Sequence, residues 1–416
     1  MEQAGADWNG LGAGTERRRW PWLLIVVGIV TTSLVAALAI SRPWESGGTT
    51  SASGEDAAVV PPMRPSQLPD ETRSVSVDFA TVVDPDTDWS QVAVRLDEAG
   101  ANAVELNAGR IEFTAFDWEA HPAAAAEPGT DHLARAARAL HRAADGSNRQ
   151  VGLVVDTMAP SWLADHPSAA GVSVDGRRSV YQASASQLVD GEVGRRLVDY
   201  VGALCERYDP AQISITELFL SDYTFGSDDR RLFERMTGRS GWPRTSDGSI
   251  NEDASSIKAW RAAVIADLLE RMRKRMDATR DGAGSRIGLA MDVRIDWKHP
   301  ARGNLLSGHN YAVLLGQVER LILWAYLYRT RRPKDLDRVL DRLEQTGLDM
   351  SRLTVSVGLW ERPPGTRVGP IGTSRFLAAL RAAESHGITS VNVTPLSLMS
   401  DPYWKALASV WNPDGT

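Results

Sequence analysis

Short apolar runs of five to seven residues alternate with longer amphipathic segments from about residue 72 onward. Runs of this length bounded by turn residues are typical of strands, whereas the amphipathic segments are typical of helices. The predicted strands are residues 74–78, 102–107, 150–156, 212–217, 286–292, 320–326, 353–358 and 390–394. The predicted helices are residues 89–99, 131–144, 190–208, 255–279, 334–346 and 373–386. We interpret the strands as mostly apolar on both faces, as expected for a parallel sheet covered by helices.

Eight strand–helix units over residues 72–416 predict an α/β fold of the (β/α)8 TIM-barrel type. Asp88 is predicted to cap the first helix, and Gly100 to end it. The alternative is a doubly wound open sheet. It has no GxGxxG or GxxxxGK[ST] motif after the first strand to support it. The longest insertion, residues 221–253, follows the fourth strand and is expected to shape one side of a cleft.

The N-terminal segment has a different character. Residues 22–40 form a run without charge, long enough to span a hydrocarbon core of ~30 Å. Three arginines at 17–19 precede it, which predicts a cytoplasmic N-terminus and an exported C-terminal part.

We therefore expect a cytoplasmic segment (1–19), a transmembrane signal anchor (20–41), a disordered stalk (42–71) and a barrel domain (72–416). The protein would then be a single-pass protein of the cell membrane with its barrel extracytoplasmic. A cleaved signal peptide is the alternative, because residues 37–39 (Ala-Leu-Ala) resemble a cleavage site.

The composition of the chain limits the classes of function and of binding site that we expect. The formal net charge is -7, and no basic face suited to nucleic acid is evident. Cys205 is the only cysteine, which excludes an intramolecular disulfide and a thiolate metal cluster, and its helical context predicts a buried thiol. The seven histidines form no HExxH or HxH motif, so we expect neither a transition-metal site nor a cofactor.

Polar side chains recur where the predicted strands end. In a barrel these positions share one rim, where barrel enzymes build their active sites. Carboxylates that converge there repel one another, which raises some of their pKa values and implies a function for the set. The residues are Asp78, Asn107, Asp156, Glu217, Asp292, Tyr326, Glu361 and Thr394.

Tryptophan also recurs at or just past the predicted strands. Indole faces stack on the apolar face of sugar rings, so their common placement predicts a carbohydrate-binding cleft, although tryptophan also packs in cores. These residues are Trp118, Trp162, Trp242, Trp297, Trp324, Trp360 and Trp404. Trp324 and Trp360 lie within or at the end of strands and are the better candidates for core packing. The other five lie in predicted loops and are the better candidates for sugar platforms.

Hydrolysis of a glycosidic bond requires two carboxyl groups, one protonated and one acting as nucleophile or base. The chain resembles retaining barrel glycosidases of clan A and glycoside-hydrolase-like barrels of bacterial envelope proteins, over residues 73–411. Clan A enzymes carry an acid/base glutamate after the fourth strand and a nucleophilic glutamate after the seventh. The matching residues are Glu217 in ISITELFLSDYTFG and Glu361 in VSVGLWERP.

The chain departs from that pattern at two points. Thr216 stands where many clan members have asparagine, and Glu361 lies later on its strand than Glu217 does on its own. Asp292 and Asp222 therefore remain alternative nucleophiles. Substrate-contact roles are also expected for Tyr223 and for His309, Asn310 and Tyr311 of the GHNY stretch, where a helix start is the alternative.

We therefore expect a membrane-anchored glycoside hydrolase that acts outside the cytoplasm on a cell-envelope or extracellular polysaccharide. The alternative is a non-catalytic glycan-binding barrel in a polysaccharide assembly or export system. An esterase or deacetylase ranks lower, because neither a GxSxG elbow nor a metal-ligand cluster occurs.

Overall fold

The computed structural model describes residue 63 and residues 71–279, 286–328, 330–362 and 369–413. In this part of the chain, eight parallel strands form one sheet. They are β1 (Thr72–Val77), β2 (Ala103–Arg110), β3 (Gln150–Asp156), β4 (Gln212–Thr216), β5 (Gly288–Val293), β6 (Arg320–Tyr326), β7 (Leu353–Gly358) and β8 (Ser390–Thr394). A two-residue antiparallel strand, Phe113–Thr114, pairs with the end of β2.

The sheet closes on itself. Each strand pairs with its neighbours in the chain, and β1 pairs both with β2 (Ser74 opposite Ala103) and with β8 (Thr72 opposite Ser390). A doubly wound open sheet has two unpaired edges and is excluded. The predicted (β/α)8 barrel is confirmed for the described residues.

A helix follows each strand and packs on the outside of the barrel. These helices are α1 (Trp89–Ala99), α2 (His132–Leu140), α3 (Glu192–Tyr208), α4 (Ser255–Ala278), α5 (Tyr311–Leu314), α6 (Pro333–Glu344), α7 (Thr373–Ser385) and α8 (Asp401–Trp411). Shorter helices in the loops are Phe79–Val83, Pro160–Asp165, Ala185–Val189 and Ser227–Thr237. Single 3-10 turns are Pro122–Ala124, Pro167–Ala169, Pro300–Arg302, Leu305–Ser307, Met350–Arg352 and Leu396–Leu398.

The helix ends follow local chemistry. The Asp88 carboxylate accepts a hydrogen bond from the Gln91 N–H at the start of α1, and Gly100 ends this helix in the left-handed conformation, both as predicted. In α6 the four buried residues are Leu336, Val339, Leu340 and Leu343, which form one stripe at helical spacing. The outer helices therefore cover the sheet with one apolar face each.

The inside of the barrel is polar, which corrects the expectation that the strands are apolar on both faces. Side chains that point outward, such as Val75 and Leu153, are fully buried beneath the helices. Side chains that point inward are mostly small and polar, with Ser74, Ser214 and Ser356 as examples. Barrel interiors are usually filled by branched aliphatic residues. Here the apolar core lies between the strands and the helices.

The two longest loops lie at the carboxyl end of the barrel. The loop after β3 contains an antiparallel hairpin, Ala170–Val172 with Arg178–Ala183. The insertion after β4 contains the helix Ser227–Thr237 and places Trp242 against Phe233 and Trp260.

The predicted membrane anchor and most of the predicted stalk lie outside the described residues. Among the residues that the structure does describe, no helix has the length and apolar character needed to cross a membrane. Cys205 is buried in α3, as predicted.

Candidate active site

The carboxyl ends of the strands surround one cavity of about 290 Å3 that continues into the barrel. The structure brings together here most of the polar side chains predicted at the strand ends. Those that line the cavity are Asp78, Asn107, Asp156, Glu217, Asp292, Tyr326 and Thr394. The closed parallel sheet is the cause, since it places all of its strand ends on one rim.

Glu217 is the most constrained of these residues. It directly follows β4 and has a φ of 58°, a left-handed conformation that non-glycine residues adopt rarely. Its side chain is buried, and the Oε2 atom has no hydrogen-bond partner among the described residues. Burial raises the pKa of Glu217 to about 8, with Asp156 adding to the rise and Arg294 opposing it. The carboxyl group is therefore protonated at neutral pH.

Asp156 ends β3 and is held by an ion pair. The Arg110 guanidinium donates to Oδ2 of Asp156 at 2.8 Å, and the Met158 N–H donates to Oδ1 at 2.9 Å. Both side chains are buried, and of the two charges the Asp156 carboxylate raises the pKa of Glu217 while the Arg110 guanidinium lowers it.

Asp292, in β5, has a pKa between the ordinary value of a carboxyl group and that of Glu217. Burial raises its pKa to about 6, while the side chains of Thr216 and Trp324 beside it lower the pKa and Asp156 raises it. At neutral pH Asp292 is therefore ionised while Glu217 remains protonated. This division between two neighbouring carboxyl groups is the one that glycosidic acid/base chemistry requires.

Arg294 connects the loops after β4 and β5. Its guanidinium carbon lies 3.5 Å from the ring centroid of Phe219, and its side chain donates to Oγ of Ser221 at 3.4 Å. Burial lowers the pKa of this guanidinium, whereas the nearby Glu217 raises it. Arg294 therefore brings a positive charge to the group of carboxylates.

His309 is buried behind these loops and does not line the cavity. Its Nδ1 atom accepts from the Arg294 backbone N–H at 2.8 Å, so Nε2–H donates to the Leu218 carbonyl at 2.8 Å. Burial lowers the pKa of His309 to about 3, so the ring stays neutral. Tyr311 is also buried and donates to the Arg294 carbonyl. The expected substrate contacts of His309 and Tyr311 are thus replaced by support of the site from behind.

Glu361 does not line the cavity, so its predicted pairing with Glu217 is not what the structure shows. β7 ends at Gly358, and the chain then turns back at a bridge between Trp360 and Pro370. Glu361 lies beyond this bridge, and its charge contributes to raising the pKa of Tyr403, although burial is the larger cause. Glu361 lies three residues past the end of its strand, whereas Glu217 directly follows its own, and only Glu217 lines the cavity.

Asp222 and Tyr223 also lie outside the cavity lining. They belong to the loop after β4, where the negative charge of Asp222 acts on Arg261 and Arg294. The Tyr223 backbone packs closely on Gly171 of the hairpin. The structure places both residues beside the site, and their predicted substrate contacts remain predictions.

The tryptophans divide differently from the expectation. Trp118, Trp242 and Trp404 are buried in the core, although they had been preferred as sugar platforms. Trp404 lies within α8 and faces the core, whereas the loops that carry Trp118 and Trp242 fold back on the helices. Trp118, for example, packs on Tyr200 with ring centroids 4.9 Å apart. Trp162 and Trp297 are only partly buried and lie outside the cavity lining, stacked on His166 and beneath Arg331 respectively.

Trp360 is a candidate both for core packing and for substrate binding, and the structure places it in the wall of the cavity. Its ring lies 5.1 Å from that of Tyr326 at an angle of 63°. The Tyr326 ring lies over Gly358, where a Cβ atom would approach it to 2.3 Å. The two rings form an aromatic surface next to the carboxylates, suited to the apolar face of a sugar.

Glu105 is a member of the cavity that the sequence interpretation missed. It points into the barrel from β2, is buried, and accepts a hydrogen bond from the Ser214 hydroxyl at 3.3 Å. Burial raises its pKa to about 8. The alternation of polar and apolar residues in runs such as SVSVD and QISIT was the available signal.

Outside the cavity, the described residues include one group of side chains close enough together to hold a metal ion. Asp341 and Glu344 of α6 and His386 after α7 have ligand atoms within 4.8 Å of one another. The His386 ring nitrogen Nδ1 lies 3.0 Å from Oε1 of Glu344. The group is partly exposed and lies on the outer helices, away from the carboxylates of the cavity.

No protein-family model matches the chain, and no curated protein matches it by sequence. By structure it is similar to the PgaB (BpsB) glycoside hydrolase domain from Bordetella bronchiseptica, with a TM-score of 0.62 and 14% identity over 82% of this chain and 99% of that one. It is also similar to α-L-fucosidase isoenzyme 2 from Paenibacillus thiaminolyticus (TM-score 0.59, 14% identity, 82% of this chain and 49% of that one). A third similar structure is β-galactosidase from the psychrophilic Marinomonas ef1 (TM-score 0.58, 13% identity, 81% and 59%).

The chain therefore has the TIM-barrel fold of glycoside hydrolases, as the resemblance stated above implied. It spans about half the length of the fucosidase. At these identities the likeness concerns the fold, and the activity has to be argued from the site.

Proposed function

We propose that this protein is a glycoside hydrolase that cleaves an oligo- or polysaccharide by a two-carboxylate mechanism. The observation that carries the proposal is the buried carboxyl group of Glu217, whose Oε2 has no partner and which shares a cavity with Asp156 and Asp292. A protonated acid beside an ionised carboxylate is the pair needed to break a glycosidic bond.

In this proposal Glu217 gives its proton to the leaving oxygen, because its pKa of about 8 keeps it protonated at neutral pH. Asp292 is the second carboxylate, because its pKa of about 6 leaves it ionised. Trp360 and Tyr326 support the sugar ring. Water supplies the hydroxyl group that ends on the anomeric carbon. Its other hydrogen restores the proton that Glu217 gave to the leaving group.

We further propose that the barrel acts outside the cytoplasm, on an envelope or extracellular polysaccharide, and is held at the membrane by residues 20–41. The charge-free run and the arginines before it support this part of the proposal. Protease treatment of intact cells tests it. The barrel domain should be digested in intact cells, whereas protection until the membrane is opened contradicts the proposal.

The activity is tested with the full-length protein in detergent against a broad panel of polysaccharides. Cleavage by the wild type, with loss of cleavage in Glu217→Gln and Asp292→Asn, supports the proposal. Glu361→Gln is the matched control, because Glu361 lies outside the cavity, and it should cleave at the wild-type rate. Binding of a glycan without cleavage contradicts hydrolysis and supports the non-catalytic alternative.

A further inference from the structure

The cavity below the carboxylates runs along the whole inside of the barrel. Its lining includes residues at the start of the strands, among them Gln150 and Gly288, as well as Asp156 and Asp292 at their ends. A barrel interior is normally a packed core and not a passage. The site at the carboxyl ends of the strands, here called the upper rim, does not by itself explain why the cavity continues to the amino ends.

The wall of this passage is lined by polar side chains that can bind water. The Ser356 hydroxyl donates to Oδ1 of Asn392 at 2.9 Å, and the Thr354 and Ser390 hydroxyls lie 2.8 Å apart. Each hydroxyl can both donate and accept, so these contacts leave hydrogen-bonding capacity directed at the cavity. Buried polar surfaces of this kind are hydrated when there is room, and about 290 Å3 has room for several waters.

Glu105 occupies the middle of the passage. Gly152 on the next strand leaves space for its carboxyl group, since a Cβ atom there would lie 2.4 Å from Oε2 of Glu105. The charge of Asp292, at the upper end, acts on Glu105. A carboxyl group thus stands between the amino ends of the strands and the carboxylates of the site.

We propose that the barrel interior is a hydrated conduit that opens at the amino ends of the strands and supplies water and protons to the carboxylates. This opening lies on the face of the barrel opposite the sugar-facing rim. A glycan that covers the rim closes the direct route to solvent, whereas the conduit stays open. The role in hydrolysis rests on the proposed function, but the existence of the conduit does not.

The conduit is tested by thiol labelling of the full-length protein. Ser356→Cys places a reactive group on its wall, and Ser214→Cys serves as a second position if the first variant folds poorly. Methyl methanethiolsulfonate is a suitable probe because it is small and uncharged. The background is low, because Cys205 is the only native cysteine, is buried, and has its pKa raised by burial to about 12.

A second substitution identifies the route of entry. Gly288→Leu adds a side chain at the lower opening, where a Cβ atom meets its nearest neighbours at an ordinary 3.5 Å. It should slow labelling of Ser356→Cys by about tenfold or more, because a thiol reacts only where reagent has access. Gly372→Leu is the matched control: its Cβ atom would have nothing within 4 Å, and labelling should be unchanged.

Two results overturn the conduit. One is labelling of Ser356→Cys and Ser214→Cys no faster than that of Cys205 in the wild type. The other is labelling that Gly288→Leu leaves unchanged, which means entry only from the rim. Neither measurement requires a substrate, so a failure to find hydrolysis does not affect them.

The role of the conduit in hydrolysis is tested once a cleaved glycan is known. Gly288→Leu should reduce turnover of a long chain that covers the rim more than turnover of a short one. Equal turnover of both chains in Gly288→Leu and wild type overturns the supply of water by this route.

Discussion

The carboxyl group of Glu105 lies directly over the backbone of Gly152, where the Cβ atom of any other residue would come within 2.4 Å of Oε2. The two residues face each other across β2 and β3 inside the barrel. A glycine without a turn, a bulge or a positive φ is explained here by the side chain it accommodates.

Gly152→Ala is therefore expected to destabilise the protein by about 1–3 kcal/mol, since the Glu105 carboxyl group has to move from an enclosed position. Urea unfolding at neutral pH measures the effect. Gly288→Ala is the control within the same sheet, because its Cβ atom would meet neighbours only at 3.5 Å, and its stability should be close to that of the wild type. Equal stability of the two variants contradicts the steric argument.

Glu105→Gln should make stability less dependent on pH. The folded protein keeps the Glu105 proton up to about pH 8, whereas an unfolded chain releases it near 4.5. The free energy of unfolding therefore falls as pH rises through this window, and glutamine removes that loss. We expect the variant to be more stable than the wild type at pH 8 by on the order of 4 kcal/mol or less, with no gain at pH 4.

Urea unfolding between pH 4 and pH 9 checks this expectation. Glu119→Gln is the control, because Glu119 is exposed. A stability difference between Glu105→Gln and wild type that is constant across the range contradicts the raised pKa.

Asp156→Asn should move the alkaline limit of activity to lower pH. If Glu217 is the acid, activity falls as pH rises through about 8. The substitution removes a negative charge that favours the protonated form and releases Arg110, which favours the ionised form, so both effects lower the pKa. A shift of about one pH unit in kcat/KM is expected. Asp165→Asn, at an exposed position, should leave the profile in place.

His309→Phe should weaken the site without removing a group that contacts substrate. It leaves the Arg294 N–H and the Leu218 carbonyl without their partner, at a cost of about 2–4 kcal/mol in stability. Because Leu218 follows Glu217, kcat should fall more than KM rises. His309→Gln can still donate to Leu218, so part of kcat should return. Wild-type kcat in a correctly folded His309→Phe contradicts this positioning role.

Substitution of Trp242 should lower stability, whereas substitution of Trp360 should lower the affinity for glycan. Trp242 packs among Phe225, Phe233 and Trp260, so Trp242→Ala is expected to cost about 3–5 kcal/mol in stability while the folded protein binds glycan normally. Trp360→Ala should instead weaken glycan binding by about tenfold with little loss of stability. Thermal unfolding and glycan titration measure the two. Reversed results would restore Trp242 as a sugar platform.

Much of the fold is predictable from the pattern of residues along the chain. The eight strands lie within two residues of their predicted bounds at their starts, and helix signals such as Asp88 and Gly100 act through neighbouring residues alone. The strand ends also follow, so the meeting of Asp156, Glu217 and Asp292 on one rim was predictable once the barrel was recognised.

Loops were harder to predict, because the direction of a side chain there depends on what the loop packs against. Glu361 and Trp360 are adjacent in sequence, yet only the tryptophan lines the cavity. Trp118 and Trp242 lie in loops and are nevertheless buried, since their loops fold onto the helices.

The sequence by itself determined the order of strands and helices, because these depend on periodicity and local capping. Only the tertiary structure decided that Asp292 and not Glu361 shares the cavity with Glu217, how burial and charge separate the pKa values of Glu217 and Asp292, and that the barrel encloses a polar passage around Glu105. Those properties arise from distances between residues far apart in the chain, and electrostatic interaction and desolvation depend on such distances.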